Sequence, residues 1–107
     1  MSASQRTKGH AFEREIADRF RQAGFEAERN LTQSRDGGWD LDTDVGPIEC
    51  KKRARLPSYL CPGENVRAVV FAQDRGPRLV LLRLDDALTL LLQSRELARA
   101  KSDREPS

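Results

Sequence analysis

WDLDTDVGPIECKK, residues 39–52, decides how this chain is read. Trp39, Leu41, Thr43 and Val45 alternate with Asp40, Asp42 and Asp44, the period-two pattern of a half-buried strand. Gly46-Pro47 is a turn signal, and beyond it Ile48 and Cys50 alternate with Glu49 and Lys51. The stretch predicts a hairpin. With the tight turn at residues 45–47, paired residue numbers sum to about 91 in a two-residue side-chain period. Asp40 then stands opposite Lys51 and Asp42 opposite Glu49, with all four side chains on one face. Cys50 falls on the other face and reads as a buried free thiol.

Carboxylates crowded onto one face repel one another and do not all ionise cheaply. Two readings of that face stay open. It is the solvated outer side of an edge hairpin, or it is a site for a divalent cation that relieves the repulsion. Hard oxygen ligands select Mg²⁺, with Mn²⁺ as a substitute. A cation there would polarise a phosphoryl group and lower the pKa of bound water. Lys51, two residues from Glu49, would orient the nucleophile or meet negative charge on phosphate. Asp42 is either an auxiliary ligand or a solvated charge.

Working outward toward the N-terminus, LTQSRDGG is a polar loop closing on Gly37-Gly38, and residues 25–30 form a short strand candidate. Before it, residues 7–23 are helical in pattern. Phe12, Ile16 and Phe20 recur every four residues, and Gly24 stops the run. At about 100° per residue, Glu13 lies roughly 60° from the centre of that stripe and Glu15 roughly 100°. Glu13 is therefore the carboxylate that leans toward the sheet, while Asp18 faces away.

Toward the C-terminus, residues 57–60 suggest a short helical turn. Residues 66–72 and 78–84 are apolar strands joined by the turn QDRGP. Asp85 or Asp86 caps a helix running to about Ala98. The order predicts an α/β domain with a central mixed sheet flanked by helices.

The 107 residues fit one domain, residues 1–107, with residues 1–6 and 100–107 read as flexible tails. Apolar residues are 37% and charged residues 34%, with a net charge of +2 that announces no polyanion partner by itself. Setting aside Glu13, Asp40 and Glu49 raises that balance to +5. Residues 79–92 are the richest apolar run, but Arg83, Asp85 and Asp86 interrupt it short of a membrane span. The first ten residues lack the apolar core of a signal peptide. The two cysteines make neither a disulfide scaffold nor a four-cysteine zinc site, and the single histidine, His10, leaves no Ser-His-Asp chemistry. A cytoplasmic location, in a cellular or phage-encoded setting and with no membrane partner, is the expectation.

Taken together, KGHAFERE at residues 8–15, GGWDL at 37–41 and IECKK at 48–52 resemble the archaeal-type Holliday junction resolvases and their phage and bacterial relatives, within the PD-(D/E)xK nuclease superfamily. The resemblance covers roughly residues 6–53. It implies a restriction-endonuclease-like core. It maps the catalytic set to Glu13, Asp40, Glu49 and Lys51, with Asp40, Glu49 and Glu13 holding Mg²⁺ or Mn²⁺. It also implies a homodimer that cuts opposite strands of a four-way junction, branched DNA being the partner. Twofold pairing of subunits suits the symmetry of such a substrate. Asp42 and Asp44 stand where apolar residues are commoner in that family, and the spacing from Asp40 to Glu49 is short.

Basic residues beside these motifs make a phosphate footprint: Arg6 and Lys8 before the helix, Arg35 on the glycine loop, and Lys52, Arg53 and Arg55 after the second hairpin strand. Nucleases of the same fold acting on linear duplex, flaps or nicks, and a DNA-binding module without catalysis, are the competing readings. Part of the apolar run at residues 79–92 is either core or dimer surface.

Overall fold

Helix α1 (Ala3–Gln22) buries Ile16, Ala17 and Phe20 along one stripe, as the four-residue spacing requires. Phe12, at the stripe's end, is half-buried. The computed structural model describes residues 3–31 and 38–104, and the side chains of 9–31 and 38–103. They fall in two compact units, Met1–Arg53 and Ala54–Ser107.

In the first unit, α1 closes with a Schellman arrangement. The Phe25 amide donates to the Phe20 carbonyl (2.9 Å) and the Gly24 amide to the Arg21 carbonyl (3.0 Å), with Gly24 at φ +97°. The accompanying apolar contact is the edge-to-face pair Phe20–Phe25, ring centroids 6.1 Å apart. This cap turns the chain into β1 (Ala27–Arg29). Strands β2 (Leu41–Thr43) and β3 (Gly46–Ile48) complete an antiparallel sheet in the order β1-β2-β3. Leu41, fully buried, is the centre of this core, with Phe25 and Ala27 also buried.

The hairpin differs from the predicted register. Leu41 pairs with Ile48, Asp42 with Pro47 and Thr43 with Gly46, so Asp42 does not oppose Glu49. The turn is Asp44-Val45, closed by Thr43, whose hydroxyl accepts from the Val45 amide and donates to the Gly46 carbonyl. Gly46 takes the left-handed φ of +115° that follows so tight a loop. Pro47 is tolerated because β3 is an edge strand.

In the second unit, a 3₁₀ turn (Ser58–Leu60) follows Pro57. Strands β4 (Ala68–Ala72) and β5 (Arg78–Leu82) form an antiparallel pair with Val70 opposite Val80, and α2 (Leu84–Arg104) follows. Asp85 and Asp86 lie in its first turn, where acidic groups favour the helix dipole. The Arg83 guanidinium donates to the carbonyls of Val66 and Gly63, both at 3.0 Å.

The protein is thus mixed α/β, but its sheets correct the sequence reading. Among the described residues there are two sheets, both antiparallel, and no single mixed one. Every pairing joins strands adjacent in the chain, whereas a parallel pair needs a crossover of roughly a dozen residues or more. Helix α1 begins at Ala3 and α2 reaches Arg104, because Ala, Gln, Arg and Lys propagate a helix and no Gly or Pro stops α2 before Pro106. No helix among the described residues is long and apolar enough to cross a membrane.

Candidate functional site

Asp40 sits just before β2 and is the buried charged side chain of the described residues, 8% exposed. Its backbone is held on both sides. Its carbonyl accepts from the Asn30 amide (2.9 Å), and its amide donates to the Ile48 carbonyl (3.0 Å). Ile48 already faces Leu41, so the pairing slips by one residue at Asp40. The slip breaks the two-residue alternation: Asp40 and Leu41 are both buried. A buried carboxylate needs hydrogen-bond donors, and Oδ2 of Asp40 accepts from the Cys50 amide at 2.7 Å.

Glu13 projects from α1, and its side chain is 17% exposed, while Glu15 and Asp18 are exposed, as the helical geometry predicts. Its Oε2 accepts from both Nε (3.2 Å) and Nη2 (3.1 Å) of Arg29 on β1. Glu49 follows β3 and is exposed, paired with the Lys51 ammonium at 3.1 Å, also exposed. Such an open pair is weak and free to exchange partners.

Cys50 lies among these acids. Burial, and then the negative charges of Asp40, Glu13 and Glu49, push its thiol up to about 11. The charges that act on the thiol come from three separate parts of the first unit: α1, the residue before β2 and the residue after β3. Asp42 is not among them: it is exposed, and its Oδ1 accepts the Trp39 indole N–H. The described residues contain no group of three His, Cys, Asp or Glu side chains already close enough to hold a metal ion.

Of the predicted phosphate contacts, Lys52 is exposed with its Nζ 5.6 Å from the Phe12 ring centroid, a cation–π distance. Arg53 is exposed, its guanidinium donating to the Lys52 carbonyl. Arg55 is exposed and belongs to the second unit. Arg35 lies outside the described residues, as do the side chains of Arg6 and Lys8. A cleft of about 660 Å³ opens elsewhere on the first unit, against Glu26, Glu28, Asp42 and Asp44, and none of Glu13, Asp40 or Glu49 lines it.

Sequence reasoning missed Arg29. Its signal was present: Ala27 and Arg29 share a face of β1, Ala27 is buried, and that face meets the helix stripe that carries Glu13. It also missed Trp39, whose indole the slip at Asp40 turns toward Asp42. No family model, curated protein or solved structure matches the chain.

Proposed function

We propose that this chain is a metal-dependent, structure-selective DNA endonuclease that resolves four-way junctions, built on a restriction-endonuclease-like core and working as a homodimer. The observation that carries this reading is Asp40, buried and held by the Cys50 amide, with the Glu49–Lys51 pair flanking that same Cys50. The donor set suits the cofactor in kind: carboxylate oxygens are the ligands that Mg²⁺ and Mn²⁺ prefer. Asp40 and Glu49 would hold the cation, with Glu13. Its contribution, when bound, is Lewis-acid polarisation of the phosphoryl group and a more acidic bound water.

The chain's own residues account for the rest. Asp40, fixed by three hydrogen bonds, is the preorganised ligand. Glu49 is exposed and exchangeable, so it can leave Lys51 on loading. The ammonium of Lys51 would then be available to donate to a phosphate oxygen or to orient the attacking water. Arg29 holds one oxygen of Glu13 and leaves the other free. Lys52 and Arg53 supply sequence-independent phosphate contacts, and binding should weaken steeply with salt. Exposed Val70, Val80 and Leu97 in the second unit support pairing with a second copy.

One observation favours a competing reading, DNA binding without hydrolysis: each carboxylate already has a partner within the chain. A single experiment separates the two. The protein is mixed with a synthetic four-way junction or a linear duplex, in Mg²⁺ or EDTA. Paired symmetric cuts in the junction alone, absent in Asp40→Asn, are the expected result. Cutting of both substrates widens the activity to a general nuclease of this fold. Tight binding without cutting in any divalent metal rejects the enzyme.

A further inference from the structure

Trp39 is the chain's single tryptophan, and 45% of it is exposed, although tryptophan brings one of the largest apolar surfaces a core can use. It is not loosely placed. Its indole N–H donates to Asp42, and its carbonyl accepts from Asn30 Nδ2 at 3.1 Å. The polar edge of the ring is therefore satisfied inside the chain by Asp42, and the backbone that carries the ring is held by Asn30. What remains open is apolar ring surface. The next residue is Asp40, the most constrained member of the acidic cluster. A planar, pre-oriented ring beside a phosphate-handling site matches one ligand surface well, the π-face of a nucleobase. Bases inside a continuous duplex stack on one another and do not offer that face. Bases at a branch point or in a single strand do.

We propose that Trp39 is a stacking platform for an unstacked DNA base next to the acidic cluster, and that it selects branched DNA over continuous duplex. The inference rests on the nuclease reading above and adds to it the feature of the substrate that is recognised. Asp42 and Asn30 act as positioning residues for the ring.

Because the chain has one tryptophan, its emission reports this ring alone. The intact protein is titrated in EDTA, where nothing is cut, with a four-way junction, a linear duplex and a single-stranded oligonucleotide. Binding is followed in parallel through a label on the DNA. Junction and single strand should quench the emission, and duplex should leave it nearly unchanged. Trp39→Ala should weaken junction binding on the order of ten-fold, the usual scale of one lost stacking contact, with duplex binding unaltered. Trp39→Phe should recover most of the loss. The wild-type quenching stands as a test even if the alanine variant misfolds. Labelled junction that binds without moving the emission, and binds Trp39→Ala equally well, overturns the inference and leaves the nuclease reading intact. Failure to bind any DNA overturns both. Emission that changes with protein concentration but not with DNA places the ring against a second copy and also overturns it.

Discussion

The two units of the chain use apolar residues in opposite ways. The first carries the acidic hairpin and looks the poorer candidate for a core, yet it holds six of the seven buried hydrophobic residues described: Ile16, Ala17, Phe20, Phe25, Ala27 and Leu41. The second contains the long apolar run, yet Val70, Leu79, Val80, Leu90 and Leu97 are all more than half exposed, and among its described residues Leu88 alone is buried. The difference lies in patterning. In the first unit, helix and strands each present one apolar face, and the Phe20–Phe25 cap brings those faces together. In the second, both faces of the β4–β5 pair are apolar, the pattern of strands meant to be covered on two sides. A two-stranded sheet covers neither by itself. A count of apolar residues thus locates surface to be buried, and the spacing decides whether the chain can bury it.

The largest effect should come from the core itself. Leu41→Ala removes the one fully buried large side chain among the described residues and should cost about 2–5 kcal/mol. For a chain of this size each kcal/mol lowers the melting temperature by roughly 4–8 °C. Val80→Thr, on a residue 61% exposed, keeps the β-branch and should stay within about 0.5 kcal/mol. Thermal unfolding followed by circular dichroism, at low protein concentration, compares the two. An equal cost at both positions breaks the contrast, since it would mean that the Val80 face is covered.

A second contrast concerns ion pairs. Arg29–Glu13 in the first unit is mostly buried, at 22% and 17% side-chain exposure, whereas Arg67–Asp86 in the second is open at 74% and 32%. Arg29→Met leaves a half-desolvated carboxylate unpaired and should cost about 1–3 kcal/mol. Arg67→Met should fall within the few tenths typical of surface pairs, about 0.5 kcal/mol or less. Adding Glu13→Gln to Arg29→Met should recover part of the loss, because the two changes act on one contact. Denaturant melts of wild type, Arg29→Met, Glu13→Gln, their double variant and Arg67→Met decide it, and strict additivity of the first pair would mean that the contact contributes no coupling.

Much of the first unit was legible from residue spacing. The α1 stripe, the Gly24 stop and the inward lean of Glu13 all follow from helical geometry, which has little freedom. The hairpin was legible as a hairpin but not in register. The turn at Asp44-Val45, in place of residues 45–47, moved every partner by two residues. That step preserves the two-residue period, so β2 kept its faces. The slip at Asp40 does not preserve it. A bulge depends on tertiary fit and leaves no mark on alternation, which is why Trp39 was misplaced while Glu13 was not. The single central sheet failed for a different reason. Strand type was readable from composition, but which strands pair is set by contacts that composition does not encode.

The smallest effect is the most local test of the acidic cluster. In the folded chain the Cys50 thiol is pushed up to about 11, from an ordinary value of 9.0, by burial and then by Asp40, Glu13 and Glu49. Between these values the unfolded chain has lost its proton and the folded chain keeps it. Stability from this group is therefore fully present below about pH 9 and is lost as pH rises toward 11. Cys50→Ser should remove that slope from the stability-against-pH curve and leave the curve below pH 8 nearly parallel to wild type. Labelling tests the same point chemically. Cys61 is exposed and free, so alkylation at pH 8 should modify it first. Cys50 should react slowly until the pH approaches 11. Replacing Glu49 with Gln removes the smallest of the three charges acting on the thiol and should bring that onset down only slightly, while Asp40→Asn should bring it down further. Equal reactivity of the two cysteines at pH 8 would mean that the thiol does not face the carboxylates, and the convergence of Glu13, Asp40 and Glu49 would lose its support.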